Sequence, residues 1–97
     1  MISAAQIEKA YNDLYNQFRK YIWDFDTVVA LAELETSCYT AFADLDKLRK
    51  LLKDLYKLAK DVVKEDEDFQ DAFDAFEELI KKDSDIYVKL NVLREVM

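Results

Sequence analysis

This chain contains no glycine and no proline. Those two residues supply tight hairpins, bulges and left-handed helix caps, because glycine reaches positive φ without strain and proline presets the turn. A β-sandwich or an α/β domain cannot easily be connected without them. Phosphate-binding loops and dinucleotide fingerprints need glycine where the backbone meets phosphate, so both are excluded. The expected class is all-α.

Histidine is absent too, and Cys38 is the only cysteine. The commonest general base, the neutral-pH switch and the commonest metal ligand are therefore missing. One thiol closes neither an internal disulfide nor a zinc site. The chain reads as a non-enzyme with no cofactor and no metal, suited to a reducing, cytoplasmic compartment. The longest apolar run, Val28–Ala32, is too short to span a membrane. No basic segment followed by an apolar core opens the sequence, so no secretion signal is expected.

Ninety-seven residues make one domain, 1–97. Hydrophobic residues make up 52% of it, more than a chain this size readily hides, which suggests self-association.

The apolar spacing gives the expected elements. Ser3 with Gln6 forms a possible capping box. Ile7, Tyr11, Leu14, Phe18, Tyr21 and Phe25 then step by four and three, which predicts a first helix over about Ser3–Asp24. The phase slips near Asp24, Asp26 and Thr27, where the first turn is placed. From there Leu31, Leu34, Cys38, Ala41, Leu45, Leu48, Leu52, Leu55, Ala59 and Val62 alternate threes and fours without a fault. That pattern predicts one coiled-coil-like central helix, Thr27–Lys64, roughly 56 Å long if straight. Leu51, Leu58, Phe42, Tyr56 and Val63 widen its stripe. Thr36, Ser37 and Thr40 are mediocre helix formers that could mark a break. Phe69, Ala72, Phe76 and Leu79 start a third helix, and Ile86, Leu90, Leu93 and Met97 hold its phase beyond Asp83-Ser84-Asp85. A break at that triplet, giving four helices, is favoured slightly over continuity. The expected architecture is an antiparallel bundle of three long helices, the third broken near residue 83. The central helix is too long for its neighbours, so an antiparallel dimer is expected to cover the seam of Leu31, Leu34, Leu45, Leu48, Leu52 and Leu55.

Four constellations could carry function. Lys50, Lys53, Lys57, Lys60 and Lys64 form a stripe opposite the leucines, a possible anion-binding face. Asp54 and Asp61 interrupt it, and a bundle helix needs a charged outer face in any case, so nucleic acid is not the expected partner. The segment Glu65–Glu78 holds eight carboxylates and no base. Within it Glu67, Asp71, Asp74 and Glu78 share one face. That face could dock a basic protein or imitate a phosphate backbone. The competing reading is that acids favour a helix N-terminus and pair with the neighbouring lysines. No calcium-loop spacing or di-iron glutamate–histidine pairing accompanies these acids. Third, Trp23 beside Arg19 and Asn16 would be an exposed binding hot spot if the first helix runs that far. If the chain bends there, the indole instead covers the bundle end. Fourth, a pocket between helices could sequester a small ligand.

Two short similarities assign no family. Gln6-Ile7-Glu8-Lys9-Ala10-Tyr11-Asn12-Asp13-Leu14-Tyr15 resembles the first helix of pediocin-like bacteriocin immunity proteins, which implies a small cytosolic helical bundle; it covers about a tenth of the chain. Asp83-Ser84-Asp85-Ile86 resembles the carrier motif of acyl carrier proteins, but the residue after serine differs. The expected function is an acidic, self-associating interaction module that binds a macromolecular protein partner and inhibits it, of phage or mobile-element anti-defence, DNA-mimic type. The alternatives are a structural homo-oligomer and a small nucleic-acid- or ligand-binding bundle.

Overall fold

The computed structural model describes the backbone of residues 2–40 and 43–96, and side chains through residue 81. It has four helices and no strand among the described residues: α1 Ala4–Phe18, α2 Phe25–Cys38, α3 Leu45–Val63 and α4 Glu67–Val96. The all-α class and the antiparallel bundle stand, with helix boundaries that differ from those the periodicity predicted.

α1 begins at the predicted capping box. The Ser3 hydroxyl accepts from the Gln6 amide at 3.2 Å, and the Gln6 side chain accepts from the Ser3 amide at 2.8 Å. This satisfies two of the amides a helix start leaves unpaired. Ile7, Tyr11, Leu14 and Phe18 form its buried face. The helix stops at Phe18, short of the predicted Asp24. The Lys20 and Tyr21 amides turn back to the Gln17 and Phe18 carbonyls. The Trp23 indole N–H donates to that same Phe18 carbonyl at 2.7 Å. Asp24 then caps α2 by accepting from the Thr27 amide at 2.9 Å.

The predicted central helix Thr27–Lys64 is two helices. The Thr36 hydroxyl donates to the Ala32 carbonyl one turn back, a bond that weakens helical geometry. α2 ends at Cys38, and the Tyr39 hydroxyl donates to Asn12 Oδ1 at 3.1 Å. Asp44 restarts the chain as the cap of α3, accepting from the Lys47 amide. Phase continuity survived the turn because each helix buries its own face; it carries no information on whether the two are collinear. Ala41 and Phe42, part of the predicted pattern, lie outside the described residues. The break favoured near Asp83 is absent from the backbone, where α4 is continuous through Asp83-Ser84-Asp85. The core positions predicted at Ile86, Leu90, Leu93 and Met97 lie outside the described side chains.

Contacts fix the antiparallel order. α1 packs on α2 and α4, and α3 packs on α2 and α4. The Tyr39 bond to Asn12 returns the end of α2 along α1. Lys20 after α1 meets Asp66 before α4 at 2.8 Å, and Arg49 Nη1 donates to the Ile80 carbonyl. α2 and α4 thus sit at opposite corners of the bundle. The core joins all four helices through Leu14, Phe18, Leu34, Leu48, Leu55, Phe69, Phe76 and Ile80. Each such side chain contributes about 1.5–3 kcal/mol on full burial.

The leucine seam is corrected by this topology. Leu34, Leu48, Leu52 and Leu55 are buried within the single chain, and Leu31 and Leu45 are half-buried against the same core. Folding back at Tyr39–Asp44 lets the seam cover itself, so it presents no leucine zipper to a second chain.

Candidate functional site

α2 is apolar on its solvent face as well as on its core face. The buried face consists of Thr27, Leu34, Ser37 and Cys38. At 100° per residue, Phe25, Val28, Val29, Ala32 and Thr36 fall within about a 100° arc on the other side. Phe25 is 79% exposed, Val28 51% and Val29 36%, and Ala32 is exposed as well. Ile22, just before the helix, is 101% exposed. Together these residues expose on the order of 500 Å² of largely apolar surface, near the upper end of the largest patch on an ordinary monomer.

The connection before α2 is held in place, so the exposure of Ile22 is built in. Asp66 accepts from Lys20 Nζ at 2.8 Å, from the Tyr21 hydroxyl at 2.6 Å and from the Phe69 amide at 3.2 Å. Those donors, Lys20 foremost and then Tyr21, hold its carboxyl down to about 2. The same contacts push the Lys20 ammonium and the Tyr21 hydroxyl up, because Asp66 favours their protonated forms. Trp23 turns inward over an aromatic cluster. Its ring centroid lies 5.0 Å from Phe18 and 6.0 Å from Phe69, and Phe18 lies 4.8 Å from Phe69. With Lys20, Tyr21 and Trp23 pinned to the bundle, Ile22 is left pointing out.

The predicted hot spot is therefore inverted. Of the two readings of Trp23, the bend obtains and the indole is half-buried at the bundle end. Arg19 and Asn16 are exposed but do not accompany an exposed indole. Phe25, predicted to lie on the apolar face of the first helix, takes the exposed role together with Ile22. The signal was present in the sequence: Val28–Ala32 is apolar at five consecutive positions. A helix apolar on two faces can bury only one in a bundle of this size.

The other predicted sites separate cleanly. Glu67, Asp71, Asp74 and Glu78 are all exposed. Among the described side chains no lysine or arginine pairs with them; the ion pairs are Lys9–Asp13, Lys20–Asp66, Arg49–Asp46 and Lys64–Asp61. Asp74 accepts from the Gln70 side-chain amide at 2.9 Å. Lys50, Lys53, Lys57, Lys60 and Lys64 are exposed on α3, with Asp54 and Asp61 exposed among them. Cys38 is buried near Glu35 and Glu8; burial first, then those carboxylates, pushes its thiol up to about 12. Burial likewise raises the Tyr11 hydroxyl.

A groove of about 530 Å³ lies between α3 and α4. Leu52, Phe73 and Ile80 floor it, and Arg49, Lys53, Asp74, Glu77 and Lys81 rim it. Those three floor residues are almost wholly covered already. With the half-buried Tyr56 in its wall, the groove still exposes more apolar than polar lining, and its rim carries both signs of charge. A second, shallower groove of about 370 Å³ lies beside the α2 stripe, lined by Val29, Ala32, Glu33, Thr36, Ser37 and Lys47. Among the described residues no group of three or more metal-ligating side chains converges, and no helix is long and apolar enough to cross a membrane.

The fold and this surface define a small antiparallel four-helix bundle whose second helix carries an apolar outer face in addition to its buried one. Comparison with protein-family models, curated proteins and solved structures finds no match for the chain.

Proposed function

We propose that this chain is a non-catalytic protein-interaction module whose working surface is the apolar stripe of α2 with Ile22. The observation that carries the reading is the near-complete exposure of Ile22 and Phe25 beside a fully formed core. Removing on the order of 500 Å² from water is worth about 12 kcal/mol gross, comparable with the roughly 4–15 kcal/mol that association costs in lost freedom. Such a patch supports specific but modest binding. The test is affinity capture from host cells with the wild-type chain and with Ile22→Asp/Phe25→Asp. A protein retained by the wild type and lost with the variant supports the reading. Identical capture by both contradicts it.

A second surface favours a companion reading, in which the α4 face engages a basic partner and thereby inhibits it. Its support is that Glu67, Asp71, Asp74 and Glu78 are exposed together without a described cationic partner. Imitation of a phosphate backbone is one form this takes. Salt-sensitive competition with DNA for a basic DNA-binding protein, abolished by Glu67→Lys/Asp71→Lys/Asp74→Lys/Glu78→Lys, tests it. Competition that persists in that variant contradicts it.

A further inference from the structure

We propose that the occupant of the α2 stripe is a second copy of this chain, docked antiparallel across a two-fold axis that passes near Val28 and Val29. The proposal rests on the reading of the stripe as an interaction surface and names its partner.

A two-fold interface must be self-complementary, because the same patch serves on both sides. The α2 stripe has a projection at one end and a recess at the other. Ile22 and Phe25 project at its start. The shallow groove at Val29, Ala32 and Thr36 lies toward its end. Phe25 and Ala32 are seven residues apart, about 10.5 Å along the helix. Antiparallel apposition about the midpoint of that span sets each Phe25 against the other copy's Ala32, large against small, and each Val28 against the other copy's Val29. Each Ile22 then falls beside the other copy's Thr36. Projection meets recess twice, with no change of backbone.

Area sets the strength. Two patches of this size bury on the order of 1,000 Å², the low end for a specific interface. The dimer is therefore weak and depends on concentration. Charge tunes it further. A two-fold of this kind keeps like flanks together, so Asp26 of one copy lies beside Glu33 and Lys47 of the other. On the opposite flank Asp24 approaches the other copy's Glu35. Carboxylates outnumber the single Lys47 on these rims, so salt strengthens the dimer by screening them. The α4 acidic face, at the opposite corner of the bundle from α2, remains free on both copies.

Sedimentation equilibrium of the full chain between about 5 µM and about 1 mM tests this. The expected result is a monomer–dimer equilibrium that shifts toward dimer on raising NaCl to about 0.5 M. Phe25→Asp, counted twice by symmetry, raises the dissociation constant at least about 100-fold. Val29→Cys, near the axis, forms a crosslinked dimer on mild oxidation, while Lys57→Cys does not; buried Cys38 leaves the background low. Circular dichroism confirms that the variants are folded. A monomer at the top concentration overturns the proposal, as does a dimer indifferent to Phe25→Asp. A fluorescent apolar dye separates the two levels of the argument. A monomer whose dye binding is lost in Ile22→Asp/Phe25→Asp keeps the interaction surface and assigns it to another protein. A monomer without such binding removes both.

Discussion

Replacing Phe18 by alanine attacks the point where the bundle and the exposed surface are joined. Phe18 is 1% exposed, and its ring meets Trp23, Phe69 and Phe73 at centroid distances of 5.0, 4.8 and 5.8 Å. Removing a ring so enclosed leaves a cavity that its neighbours cannot close, at a cost of about 3–5 kcal/mol. A domain of this length has roughly 5–15 kcal/mol in total. With a urea slope of about 1–1.5 kcal/mol per molar, the unfolding midpoint falls by about 2–5 M. Leucine at the same position retains more of the volume and costs less than alanine. The chain's single tryptophan makes the assay specific, because Trp23 fluorescence reports the connection while far-ultraviolet circular dichroism reports the helices. Phe18→Ala should also shift native Trp23 emission to the red, since the indole loses the ring it rests on. A loss below about 1 kcal/mol with unchanged emission would refute the aromatic cluster as the anchor of the connection.

Ile22→Asp is expected to change stability by no more than about 0.5 kcal/mol, because the side chain is fully exposed; urea unfolding measures it, and a loss of several kcal/mol would put Ile22 back in the core. For Asp66 the folded carboxyl sits near 2, below its ordinary value. Its contribution is therefore complete above the ordinary carboxylate range and is lost as pH falls through that range toward 2. Asp66→Asn should flatten the fall in stability on acidification, and an unchanged acid limb counts against the Lys20–Asp66–Tyr21 clamp. Cys38, buried and raised to about 12, should react with a thiol reagent in the native state only as fast as the protein opens; rapid labelling at mildly alkaline pH would show an accessible thiol instead. Since Asp54 and Asp61 break up the lysine stripe, no mobility shift is expected with DNA or RNA at about 0.15 M salt, and a shift abolished by Lys53→Glu/Lys57→Glu would restore that face as a site.

The helical class was legible from the missing glycine and proline, and the faces of α1 and α3 from their spacing. Ile7, Tyr11, Leu14 and Phe18 are buried as predicted, and so are Leu48, Leu52, Leu55 and Ala59. Connectivity was legible only as the break that Thr36, Ser37 and Thr40 allow, because neither end of the connection uses glycine: Tyr39 ends α2 at φ −103° and ψ 32°, and Asp44 caps α3 from extended backbone. Asp83-Ser84-Asp85 resembled a cap yet lies within one helix. Polar triplets identify residues able to end a helix, and long-range contacts decide which of them do. Tyr39 bonded to Asn12 is such a contact. The exposed site was misassigned for the same reason. The unbroken spacing of the first helix put Phe25 on its core face. The Lys20 and Tyr21 bonds to Asp66, 46 and 45 residues away, hold the chain where the helix stops and the face turns outward. The acidic face needed no tertiary information, since a helical wheel alone places Glu67, Asp71, Asp74 and Glu78 together.

The central claim is that α2 keeps an apolar face exposed, with Phe25 and Val29 outward and Thr27 inward. Maleimide labelling of Phe25→Cys, Val29→Cys and Thr27→Cys at high dilution tests it most directly, each read against the slow background of Cys38. Fast labelling at 25 and 29 and slow labelling at 27 is the predicted result, with protection at 29 developing as concentration rises. Slow labelling at 25 and 29 at high dilution, with fast labelling at 27, would contradict it.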